Sequence, residues 1–219
     1  MMQSKTSLSR RHLLKWAGAG TTVAIASAVL PNFGISAALA AELGDGDIGV
    51  LNYAYALEQL EAAFYTQALE NPFGNMQVND QRILQQIRDH EIAHRDFLKR
   101  ALGSNAIPAL EVDFSAVDFS SRASVLGTAD VFENLGVAAY NGAGQLISTP
   151  DYLVAAGSIV SVEARHAAAI ADLLRPFSAE AAGRGNVDHK GLDKALLPSM
   201  VLPNAAPFIV TEVTAATLP

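Results

Sequence analysis

Four glutamates sit where a soluble helix ordinarily carries apolar side chains, and that placement constrains the fold more than any other feature of the chain. At about 100° of rotation per residue, Glu58 lies at the centre of the face made by Leu51, Ala54, Ala62, Tyr65 and Leu69. Glu91 centres the face of Leu84, Ile87, Leu98 and Leu102, Glu133 that of Ala129, Val137 and Tyr140, and Glu163 that of Ala156, Ile159, Ile170 and Leu174. Each helical run therefore aims one carboxylate into a core. A buried carboxylate without a partner is neutralised or avoided, and four that converge repel one another unless cations balance them. Bound metal is the simplest source of that charge. The 219 residues include no cysteine, so thiolate zinc, iron–sulfur and disulfide chemistry are excluded, and any metal is held by carboxylate and imidazole.

Two of the four glutamates open a Glu-x-x-His motif, Glu91-Ile92-Ala93-His94 and Glu163-Ala164-Arg165-His166. Positions i and i+3 share a helix face, so each motif presents a carboxylate and an imidazole to the same side. Beyond residue 40 the chain holds ten Glu and four His, and chance alone supplies ~0.2 such pairs. The segment Glu58–Tyr65 (EQLEAAFY) matches Glu133–Tyr140 (ENLGVAAY) at four of eight positions. A Glu-x-x-His follows each of the two, 33 residues after Glu58 and 30 after Glu133. This weak repeat is consistent with two helix pairs related by a pseudo-twofold axis. It aligns Glu61 with Gly136 and so favours Glu58 as the ligand, leaving Glu61, about 60° off the face centre, as an accessory.

The periodicity predicts helices from about 49 to 70, 79 to 102, 128 to 146 and 151 to 174, punctuated by Asn71-Pro72-Phe73-Gly74, Gly103, Pro150 and Pro176. Residues 104–125 carry Pro108 and the doublet Val112-Asp113-Phe114-Ser115 and Val117-Asp118-Phe119-Ser120, and read as a long connection in which Asp113 and Asp118 form turns. The expected fold is all-α, a four-helix bundle over 41–182 with a long crossover between helices 2 and 3. Residues 183–219, with Pro198, Pro203 and Pro207, read as an irregular tail wrapped on the domain and not as another packing helix.

One Glu from each of two helices and one Glu-x-x-His from each of the other two resembles the di-metal carboxylate site of the ferritin-like superfamily. Within it, Leu51–Tyr65 is similar to exported ferritin-like proteins related to desiccation-associated proteins. The resemblance implies two Fe or Mn ions, with Glu58 and Glu133 as terminal carboxylates, Glu91 and Glu163 as bridging ones, and His94 and His166 as one imidazole per metal. Tyr65 and Tyr140 are implied as donors to ligand carboxylates. A competing reading pairs the glutamates with Arg95 and Arg165 as buried ion pairs. His90, about 100° from Glu91, is expected as a surface or flanking residue, and His189 in solvent.

Residues 1–40 carry Lys5, Arg10, Arg11 and Lys15 and no acid, then an apolar stretch from Trp16 to Leu30 and an Ala38-Leu39-Ala40 site, the order of a secretory signal. Ser9-Arg10-Arg11-His12-Leu13-Leu14-Lys15 resembles the twin-arginine export motif, with Leu13 where Phe is usual. Resemblance to that route implies export of an already folded protein by the twin-arginine translocation machinery, to a periplasm or the exterior. Without its four basic residues the net charge moves from -7 to -11, which argues against nucleic acid as a partner. The function so implied is redox or stress protection, by iron oxidation or peroxide disposal with O2 or peroxide as the small-molecule partner. The alternative is a non-catalytic envelope or desiccation-stress protein whose metal site is structural or lost. A homo-oligomer is compatible with both.

Overall fold

A computed structural model describes residues 40–219. The secretory signal expected over residues 1–40 lies outside the described residues except for Ala40 itself. Four long helices make the bundle: α1 (Gly46–Glu70), α2 (Val78–Leu102), α3 (Arg122–Gly144) and α4 (Pro150–Leu174). The fold is all-α. The short turns at 71–77 and 145–149 pack α1 against α2 and α3 against α4, and the crossover at 103–121 joins the two pairs.

The helix ends differ from the sequence expectation in instructive ways. Gln77, not Asn79 or Asp80, precedes α2, and Asp80 sits three residues further on, where its carboxylate accepts from the Gln77 backbone N–H. Helix α3 starts six residues earlier than its apolar period indicates, because the Ser121 hydroxyl accepts from Ser124 N and supplies the cap. Arg122 in that first turn donates to both Asp80 oxygens, at 2.8 and 2.9 Å, and to the Leu173 carbonyl at 3.0 Å, tying three helices together at one end. Its guanidinium holds the buried Asp80 carboxyl below the usual range. Arg122→Ala is expected to destabilise the fold by about 2 kcal/mol, seen as a fall in Tm of about 4–8 °C.

The crossover is fastened by polar side chains of α1. Buried Asn52 donates to the Leu43 and Asn105 carbonyls and accepts from Ile107 N, while Gln59 accepts from Leu110 N. The repeated Phe114 and Phe119 place their rings against Phe64. Asp113 and Asp118 accept from Ser115 N and Ser120 N, closing local turns.

The tail departs from expectation. It forms an eight-residue helix, α5 (Pro198–Ala205), whose Val201 and Ala205 are fully buried, and a strand, β2 (Val213–Thr214), that pairs in parallel with β1 (Ala41–Glu42). Pro198 and Pro203 conceal the helix from a periodicity reading, yet Pro at a first helical position lacks only an N–H that has no partner there. The tail lies so close on α3 that a Cβ on Gly142 would stand 1.9 Å from the Leu196 carbonyl oxygen.

Candidate metal centre

Each helix delivers one fully buried glutamate to the centre of the bundle: Glu58 from α1, Glu91 from α2, Glu133 from α3 and Glu163 from α4. The two Glu-x-x-His imidazoles join them one helical turn along. His94 Nδ1 lies 3.0 Å from Glu163 Oε1, 3.4 Å from Glu58 Oε2 and 3.5 Å from Glu91 Oε2. His166 Nδ1 lies 2.8 Å from Glu91 Oε1, 3.4 Å from Glu133 Oε2 and 3.7 Å from Glu163 Oε2. The two sets are near copies. Each holds an imidazole, its own-helix glutamate, the glutamate of the opposite motif and one glutamate from α1 or α3, and both share Glu91 and Glu163.

Although these atoms lie at ion-pair distance, none of the inward ones is aligned in a hydrogen bond. Glu58 Oε2, both oxygens of Glu91 and of Glu163, Glu133 Oε2 and the Nδ1 of both imidazoles are buried without a hydrogen-bond partner among the described residues. Buried polar atoms are ordinarily bonded, so eight unbonded ones facing a common centre fit a cation better than one another. The donor set of oxygen and imidazole nitrogen, without sulfur, suits iron or manganese. Four carboxylates balance two divalent ions when both imidazoles are neutral.

The outer oxygens of the two unshared glutamates are held by tyrosines in a crossed pattern. Tyr65, on the helix of Glu58, donates to Glu133 Oε1, and Tyr140, on the helix of Glu133, donates to Glu58 Oε1. Burial, with the nearby carboxylates, pushes both phenols well above their ordinary range, so they remain donors. Tyr65→Phe and Tyr140→Phe are each expected to weaken metal binding about 10-fold on the side of the opposite glutamate, measured by titration with Mn(II).

The electrostatics show what the cluster lacks without cations. Burial raises Glu58, and raises Glu133 to about 8, each abetted by neighbouring carboxylates. Burial alone would raise Glu91 as well, but the His166 and His94 imidazoles bring it down to about 2. Burial alone would lower those imidazoles, and the surrounding glutamates instead push both up to about 12.

Four further residues lie in or near this region of the sequence reading. Glu61 is buried beside the cluster, where burial and the four other carboxylates raise it well above its ordinary value. Its repeat counterpart Gly136 leaves it room, since a Cβ there would stand 3.2 Å from Glu61 Oε1. His90, read as a surface or flanking residue, flanks the site: it is half-buried, with Nδ1 2.9 Å from His166 Nε2. Its direction on α2 points away from Glu91 but toward α4, which a single-helix projection does not register. Arg95 pairs with its neighbour Asp96 and makes no ion pair with the cluster among the described residues. His189 is exposed.

The family model of the ferritin-like domain matches residues 46–176, over half of the chain and all four long helices. The chain belongs to the ferritin-like family. None of the curated proteins compared matches its sequence. The matched span ends two residues after α4, so this ferritin-like domain holds every residue of the cluster, and the α5–β2 tail lies outside it.

Proposed function

We propose that the chain is an exported di-metal carboxylate protein that serves redox or stress protection by oxidising ferrous iron or disposing of peroxide. The observation that carries this reading is the pair of imidazole and carboxylate sets sharing Glu91 and Glu163, with their inward atoms buried and unbonded. Glu58, Glu91 and Glu163 with His94 would hold one ion, and Glu91, Glu133 and Glu163 with His166 the other. When bound, two iron or manganese ions supply a two-electron centre for O2 or peroxide.

The chain's own residues set the conditions for that chemistry. Glu91 and Glu163 hold the two positions at a fixed spacing because each reaches both imidazoles. Tyr65 and Tyr140 fix the orientation of the two unshared glutamates. Glu61, which burial and the four other carboxylates raise well above its ordinary value, is placed to hold a proton beside the site, and reduction of peroxide to two waters consumes two. The signal at residues 1–40 supports export after folding through the twin-arginine machinery, into a periplasm or the exterior.

Protein loaded with Fe(II) or Mn(II) is expected to consume peroxide, or to oxidise ferrous iron in air, with turnover that disappears in Glu91→Gln. Full metal occupancy without turnover would assign the ions a structural role and replace the redox reading.

A further inference from the structure

The repeat that relates the two halves of the site breaks next to one imidazole. His90 precedes Glu91, while Val162 stands at the equivalent place before Glu163. His90 Nδ1 lies 2.9 Å from His166 Nε2, and the two rings are 14° from parallel with centroids 5.1 Å apart, the arrangement of imidazoles joined edge to edge through one N–H···N bond. On the other side of the site, no hydrogen bond to the outer nitrogen of His94 is present among the described residues, and the His94 side chain is 14% exposed against 5% for His166.

We propose that His90 is a positioning residue that holds His166 with its proton on Nε2 and its Nδ1 lone pair inward, and that it makes the two metal positions unequal. The inference rests on the metal reading above. A nitrogen that binds a metal carries no proton, so His166 as a ligand through Nδ1 carries its proton on Nε2 and needs an acceptor there. His90 Nδ1 is that acceptor. The remaining proton of His90 then sits on Nε2, 3.0 Å from the side-chain nitrogen of Gln86, whose amide meets it with the oxygen after a half-turn. A three-residue chain, Gln86 to His90 to His166, thus fixes one imidazole in orientation and tautomer. His94 relies on solvent for the same service, which leaves its ring freer and its ion less tightly held.

Titration with Mn(II), followed by the electron paramagnetic resonance signal of the free ion, tests this. Wild-type protein is expected to bind two ions with distinguishable affinities. His90→Val, which copies Val162, is expected to weaken one of them by about 10–100-fold and leave the other unchanged. His90→Asn, whose Oδ1 stands in for Nδ1 as acceptor, is expected to keep both near wild type. Circular dichroism of the metal-free variants checks that the fold is the same in all three. Unchanged affinities in His90→Val would overturn the proposal, as would a loss in His90→Asn equal to that in His90→Val. Wild-type protein that binds no Mn(II) and no Fe(II) would overturn the metal reading itself, and this inference with it.

Discussion

Stripping the bound metal with a chelator at pH 8 is expected to lower Tm by about 15–30 °C, and by much less at pH 5. Two ions held as proposed, each at about a thousand times its dissociation constant, would stabilise the folded chain by about 8 kcal/mol together, and a domain of this size loses about 2–4 °C per kcal/mol. The pH dependence follows from the groups that the ions displace. Glu133 rises from 4.5 to about 8 on folding, so its contribution to the metal-free protein is greatest below pH 4.5 and is lost as pH rises toward 8. His94 and His166 rise from 6.5 to about 12, so theirs is complete below pH 6.5 and is lost as pH rises toward 12. Glu91 falls from 4.5 to about 2, so its contribution is already complete above pH 4.5. Between pH 5 and 8 the metal-free protein therefore weakens. Metal binding strengthens over the same interval, because the ions compete with fewer protons. Differential scanning calorimetry of loaded and stripped protein from pH 5 to 8 measures the widening gap.

Substitution of a shared glutamate is expected to abolish binding of both ions, whereas substitution of an unshared one removes only one. Glu91→Gln and Glu163→Gln each deprive both imidazole sets of a carboxylate, and neither ion is then held in a low-charge pocket of sufficient ligands. Glu58→Gln and Glu133→Gln each weaken one position by more than the ~10–100-fold typical of losing an outer partner, and leave the other occupied. Stability moves the opposite way. In metal-free protein, Glu133→Gln removes a carboxylate that burial and its neighbours already disfavour, so its Tm is expected to rise. If the glutamates served as buried ion-pair partners of arginines, the same change would instead strand a cation and lower Tm. Metal counting by mass spectrometry of the native chain, beside unfolding curves of the same stripped variants, separates the two.

The four helices were legible because their apolar faces recur with one period and end at Gly, Pro or a polar cap. The cluster was legible for a related reason: a glutamate at the centre of an apolar face conflicts with local preference, and four such conflicts at repeating spacing mark a site. What a single-helix projection conceals is contact between helices. His90 appeared peripheral on α2, and only the approach of α4 brings it to His166. The crossed tyrosine bonds, each reaching the glutamate of the other repeat, are invisible in sequence for the same reason. Helix α5 was hidden by its two prolines, and β1 by its length of two residues, too short to show alternation.

The cluster is expected to hold two metal ions. Inductively coupled plasma mass spectrometry of protein purified without added metal and without chelator measures this directly. Two ions of iron or manganese per chain, lost in Glu163→Gln, is the predicted result. Folded protein that carries no metal, and takes up none from an excess of Fe(II) or Mn(II) at pH 8, would contradict it.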